Sequence, residues 1–132
     1  MGFEWLDGRS NGMGMMSTIE RHGVNPRYSK AVVHGDTVYL AGQVAVDPVP
    51  ASAADQTRKV LEQIDHYLAE CGTDKSKLLS AIVLFSDWRH FDEINSVWDA
   101  WVVPGQTPAR TPIETRLLTP PHRVAIQVIA AR

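Results

Sequence analysis

The sequence predicts an α+β domain in which two amphipathic helices pack on one face of a single mixed β-sheet. Three observations lead there. Residues 52–71 and 87–102 place apolar side chains at helical spacing. Strand-like runs rich in β-branched residues surround them, in the order β, β-hairpin, α, β, α, β, β. The runs 78–85 and 123–131 are apolar on both faces, yet two helices on one side leave the other side bare. Association of subunits through the sheet is the physical solution to that bare face.

Residues 1–16 are rich in Gly and Met and read as a flexible N-terminal extension, although Phe3 and Trp5 are aromatics able to dock on a neighbour. A single domain is expected over residues 17–132. Residues 17–22 read as a short first strand, and Gly23-Val24-Asn25-Pro26 turns the chain. The runs 28–33 and 37–43 read as a hairpin closed at His34-Gly35-Asp36. Gly42, within the second run, fits a bulge, a close approach to a ligand, or a packing glycine at a sheet edge.

Ser52 is placed to cap the first helix, with Asp55 three residues on in a near capping-box arrangement. Val60, Ile64, Leu68 and Cys71 form its apolar stripe, with Leu61 beside them, and Gly72 ends it. Cys71 is the last core position of that stripe. Residues 78–85 read as a strand buried on both faces. Phe91, Ile94, Trp98 and Trp101 make the stripe of the second helix, which Pro104 stops. Asn95 lies beside this stripe and needs partners, either a neighbouring backbone group or a site. Residues 113–118 read as the penultimate strand, with Ile113, Thr115 and Leu117 on one face. In the last strand Val124, Ile126, Val128 and Ala130 line one face, and Ala125, Gln127 and Ile129 the other.

Size and charge narrow the function. The chain has 132 residues, a single-domain length able to bury about two-thirds of its unfolded surface. Its net charge is -2 and no Lys/Arg run stands out, so a nucleic-acid footprint is missing. The lone Cys71 cannot form an internal disulfide, which fits a reducing compartment. No apolar run approaches the roughly 20 residues of a membrane span, and Glu4 and Asp7 argue against a secretory signal. The expectation is a cytoplasmic protein with no membrane or nucleic-acid partner.

The five histidines stand in no metal-binding frame, and no phosphate loop, dinucleotide fingerprint or nucleophile elbow occurs. Neither a metal nor a cofactor is called for. What remains is Arg110 in the stretch Gly105-Gln106-Thr107-Pro108-Ala109-Arg110-Thr111-Pro112. Prolines on both sides make it read as an arginine leaving a stiff connector at the mouth of a strand. A guanidinium held that way is a fork for carboxylate or phosphate, unless it is simply solvated. Tyr28, Gly42, Asn95, Thr111 and Gln127 are its possible helpers. Such a set binds a small anion and steadies a water, without a strong nucleophile.

Several segments resemble the Rid, or YjgF-like, family of reactive enamine/imine intermediate deaminases. They are Pro26-Arg27-Tyr28-Ser29-Lys30-Ala31-Val32, Leu40-Ala41-Gly42-Gln43, Asn95, Pro108-Ala109-Arg110-Thr111 and the ending 124–130. The resemblance runs from about residue 17 to the C-terminus. It implies a chorismate-mutase-like fold of the bacillus type, a homotrimer whose sheets form a central barrel, with sites in the clefts between subunits. It implies small 2-imino or enamine acids as substrates, hydrolysed to 2-oxo acids and ammonia. Arg110 matches the arginine that holds the substrate carboxylate. Tyr28 matches the pocket tyrosine, Gly42 the glycine approached by substrate, and Asn95 the asparagine near the cleft. Three positions depart from the family pattern. Gln127 stands where a glutamate is thought to place the hydrolytic water, Pro112 where cysteine is frequent, and Ala41 where serine is frequent. Asp74-Lys75-Ser76 and Trp98-Asp99-Ala100-Trp101 look like a divergent bacterial branch. Because a neutral amide is no base, two functions stand: weak to moderate imine hydrolysis, and carboxylate binding in the same cleft without turnover. A chaperone-like role would need two or more of the tryptophans exposed in one patch.

Overall fold

The computed structural model describes residues 18–132. The expected extension, with Phe3 and Trp5, lies outside the described residues. The strands are β1 (Ile19–His22), β2 (Ala31–His34), β3 (Thr37–Leu40), β4 (Leu78–Phe85), β5 (Ala109–Glu114) and β6 (Val124–Ala131). The helices are α1 (Ala53–Glu70) and α2 (Phe91–Trp101). All six strands form one sheet, ordered β1-β2-β3-β6-β4-β5. Only β4 and β5 run parallel, because α2 carries the chain back between them as a β-α-β crossover. The mixed α+β architecture and the order of elements are those the sequence predicts.

Local chemistry explains the elements. The β2–β3 hairpin pairs His34 with Thr37 around Gly35, whose φ of 61° suits glycine. The Ser52 hydroxyl accepts from the Asp55 backbone N–H at 3.0 Å and starts α1. The capping box is not completed, since the Asp55 carboxylate turns outward to Arg58. At the other end Thr73 N–H bonds to Leu68 carbonyl and Gly72 N–H to Ala69 carbonyl, with Gly72 at φ 79°. This is the Schellman pattern that satisfies terminal carbonyls. The second helix begins one turn later than its sequence span, after a 3-10 turn at Trp88–His90 capped by Asp87.

The core fills the space between the helices and one sheet face. Val60, Leu61, Ile64 and Leu68 of α1, Cys71 at its C-cap, and Ile94 and Trp98 of α2 meet Val38, Leu40, Val83, Ile126, Val128 and Ala130. Burial raises the Cys71 thiol pKa, so it stays protonated and packs as a small apolar group. Each β6 face carries the residues the alternation assigns to it. On the second face, Ser80, Ile82 and Leu84 of β4 are half-buried within one chain, while Tyr39 and Ile113 are exposed.

Two expectations need correction. The penultimate strand covers Ala109–Glu114, four residues earlier than the expected 113–118. Arg110 is therefore inside a strand and not in a connector before it. Pro108 and Pro112 hid this strand. A sheet edge tolerates proline because one row of backbone groups there has no ladder partner, and β5 is an edge strand. Gly42 lies just past β3, where Gln43 makes only an isolated bridge to Ile126.

Gln56 is a core tie that its position in the polar part of α1 conceals. It is completely buried. Its Nε2 donates to the Pro50 and Pro121 carbonyls at 2.8 and 2.9 Å, and its Oε1 accepts from Arg123 N–H at 2.8 Å. It joins the start of α1 to the loop that feeds β6. Among the described residues, no helix is long and apolar enough to cross a membrane. Gln56→Ala leaves three backbone groups without partners and should cost about 3 kcal/mol of stability. The midpoint of urea unfolding checks this.

Candidate functional site

The site starts from the β4–α2–β5 unit. After α2, Pro104 and Gly105 form a turn in which Gln106 N–H bonds to Val103 carbonyl at 3.0 Å and Gly105 takes φ 79°. Pro at the second and Gly at the third position are the residues such a turn selects. The chain then enters β5, where Arg110 pairs with buried Ala81 of β4. Arg110 therefore points to the helix-covered face, at the open edge of the sheet. Ala81 is small enough to leave room there.

Phe91, Asn95 and Trp98 recur at helical spacing on α2 and face Arg110. Arg110 Nη2 donates to Asn95 Oδ1 at 2.6 Å. The guanidinium carbon lies 4.8 Å from the Trp98 ring centre and 5.9 Å from that of Phe91. A cation over aromatic faces gains about 0.5–2 kcal/mol, more where water is excluded. Phe91 is itself stacked on Phe85 at 4.9 Å, and Trp98 rests 5.4 Å from Trp101. Trp101 Nε1 donates in turn to the Asp65 carboxylate of α1. The cradle under Arg110 is thus tied to both helices.

The electrostatics point outward from this cradle. Burial pushes the Arg110 pKa down, opposed in part by the charge of Asp99; an arginine stays charged at physiological pH regardless. Its Nε is buried and has no hydrogen-bond partner among the described residues. Nor does any ion pair to a carboxylate engage Arg110 among those residues. An anchored cation with an unsatisfied donor attracts an oxygen anion. So Asn95 has the partner it needs, and that partner is a candidate site residue.

Tyr28 and Gly42 lie elsewhere in the chain, in a cleft of about 440 Å3 against α1 that Lys30, Gln63 and Tyr67 also line. Asn25 fixes the approach to Tyr28, since its Oδ1 accepts from the Arg27 and Tyr28 N–H groups at 2.9 and 3.1 Å. Tyr28 remains 53% exposed, with its ring available to another surface. At Gly42 a side chain would meet nothing within 4 Å. Within one chain no neighbour therefore requires glycine at this position, and the space opens to the cleft. Ala41 borders Gly42, with its carbonyl accepting from Gln43 Nε2 at 3.1 Å. Gln43 and Gln63 then pair their amides at 3.1 Å and stiffen this wall. The sequence pointed to Gln43 only through its motif and gave no sign of Gln63.

Thr111 and Gln127 occupy a third place. Both pair with Ile82 across the sheet, so all three share the uncovered face. Within one chain, Arg110 bonds to Asn95, Tyr28 and Gly42 line one cleft with Ala41 next to Gly42, and Thr111 and Gln127 share a sheet face on either side of β4. Of the tryptophans described, only Trp88 is exposed, at 69%, while Trp98 is buried and Trp101 half-buried. The described residues thus lack the tryptophan patch a chaperone-like role calls for. They also contain no group of His, Cys, Asp and Glu able to hold a metal ion.

Arg110 makes one side-chain hydrogen bond and no ion pair among the described residues. Its head is half-exposed on an edge strand, and removing it also removes an unsatisfied buried donor. Arg110→Ala should cost no more than about 2 kcal/mol, the lost Asn95 and aromatic contacts being offset in part by removal of the unsatisfied donor. Urea titration checks this, and a loss of several kcal/mol would mark Arg110 as structural.

Comparison with known proteins identifies the family of the chain. The family model described as Endoribonuclease L-PSP matches residues 18–132. A RutC family protein of Haemophilus ducreyi is 41% identical over 113 residues, covering 86% of this chain and 96% of the relative. The rat 2-iminobutanoate/2-iminopropanoate deaminase is 27% identical over 123 residues, 89% of each chain. The crystal structure of a YjgF family member from Neisseria meningitidis matches with a TM-score of 0.84 and 44% identity, over 87% of this chain and 95% of that one. The chain belongs to the Rid, or YjgF-like, family, the group that includes the RutC and L-PSP proteins.

Proposed function

We propose that the protein hydrolyses small 2-imino and enamine acids to 2-oxo acids and ammonia, in clefts between the subunits of a homotrimer. The observation that carries this reading is Arg110: a half-buried cation, held at one end by Asn95, with a buried Nε–H left unpartnered. A substrate carboxylate is the ligand that fits such a fork. The similarity to mammalian deaminases supports imino acids as the class bound.

The chemistry asks little of the protein. An enamine tautomerises to its imine, and a protonated imine is already an electrophile. Water adds to C2 as the C=N pair moves to nitrogen, and the carbinolamine expels ammonia to leave the 2-oxo acid. Both protons of the water end on the departing nitrogen. Arg110 fixes the carboxylate, and Thr111, Asn95, Gly42 and Ala41 shape the pocket around C2. Tyr28, or a backbone carbonyl, holds the water. Gln127 orients it but cannot take its proton. Positioning alone is able to supply several kcal/mol of barrier lowering.

The assembly follows from two features. Val32, Tyr39, Ile82, Leu84, Ile113 and Ile129 lie on the sheet face that neither helix covers. The three groups of site residues are separate in one chain, so a second chain is needed to bring Tyr28 to Arg110. A second reading, carboxylate binding without turnover, is favoured by Gln127, which leaves this position without a general base.

A pyridoxal-phosphate dehydratase acting on serine or threonine, with semicarbazide as trap, tests the proposal. The protein should speed 2-oxo acid formation and reduce the trapped semicarbazone. Arg110→Ala should lower the rate at least ~100-fold, the loss of a charge-assisted carboxylate clamp. Binding of a 2-oxo acid with no acceleration would leave the second reading, and neither effect would refute both.

A further inference from the structure

We propose that Lys30 is a second anion subsite in the Tyr28 cleft, and that the preferred substrate is a 2-imino acid carrying a second carboxylate on its side chain. The inference rests on the hydrolase reading above and names the substrate class.

Lys30 is a held lysine, not a solvated one. It is half-buried, and its backbone N–H bonds to His22 carbonyl at 2.9 Å. Its stem lies against Gly23, where a side chain would come within 2.8 Å of Lys30 Cδ and 2.9 Å of Cγ. Gly23 also takes φ 62°, so this position selects glycine twice, by conformation and by room for the lysine. A packed stem reduces the rotamer entropy that a lysine otherwise loses on binding.

The ammonium has no acid partner among the described residues. Among the described residues no carboxylate lies within ion-pair distance of Lys30, and no acceptor engages its Nζ. Yet it lines the same cleft as Tyr28 and Gly42. The other charged groups of that cleft are committed or exposed. Lys59 Nζ donates to Pro48 carbonyl at 2.8 Å, His66 pairs with Glu70 at 3.1 Å, and Glu62 is exposed on α1. Lys30 is therefore the cation left for a ligand. With Arg110 taking the carboxylate next to the imine carbon, Lys30 meets the distal end of the substrate. A compact ammonium with three donors suits a carboxylate there.

Calorimetric titration with product-class ligands tests the subsite independently of turnover. Oxaloacetate and 2-oxoglutarate should bind the wild-type protein at least ~10-fold more tightly than pyruvate and 2-oxobutanoate, as one charge-assisted hydrogen bond provides. Lys30→Met should bring that ratio to near one, and Lys30→Arg should keep most of it. In turnover, iminosuccinate from a flavin-dependent aspartate oxidase should be preferred over 2-iminopropanoate by a similar factor, lost in Lys30→Met. Equal binding of both ligand classes by the wild type, or equal loss of both in Lys30→Met, would overturn the subsite. Dicarboxylate preference without any turnover would uphold the subsite and refute only the hydrolysis.

Discussion

Two helices on one face of a six-stranded sheet are the constraint from which the rest of this molecule follows. α1 and α2 bury one side of β3, β6 and β4 completely, and the residues there have essentially no exposure. The opposite side alternates in register with that core, so its apolar residues are unavoidable neighbours of solvent in a lone chain. Tyr39, Ile82, Leu84, Ile113 and Ile129 belong to that side. In the proposed trimer, other copies of the chain cover this face.

The same constraint creates the chemistry. β5 lies at the sheet edge, and α2 is the element that shelters it. Arg110 emerges there between a solvent edge and an aromatic shelf. Trp98 and Phe91 lower the cost of burying its charge, and Asn95 fixes its rotation. The guanidinium is neither sunk in the core nor loose in water. It is preorganised, so an anion meeting it does not have to order it first.

The elements that carry packing were legible in the sequence, and those that carry topology were not. The stripe Val60, Ile64, Leu68, Cys71 gave α1, and strict alternation gave both faces of β6, because burial acts directly on side-chain periodicity. β5 was misplaced because Pro108 and Pro112 read as connectors, and only its place at an edge makes them acceptable strand residues. Gln56 was unreadable for a different reason: a buried amide in a helix looks like a surface residue until its three distant partners are known. Arg110 was singled out by the prolines around it and Asn95 by its place beside an apolar stripe, and the two do meet. Tyr28 and Gln127 were grouped with them as helpers of Arg110, yet β4 and β6 place Gln127 on the other face, and Tyr28 on a different cleft. Residue patterns say nothing of which chain completes a site.

The proposed site needs more than one copy of the chain. Sedimentation equilibrium at micromolar concentration tests this requirement most directly. A single species of three chains of 14.6 kDa each is expected. A stable monomer at the same concentration would leave the uncovered sheet face unexplained and Arg110 apart from Tyr28, and would contradict it.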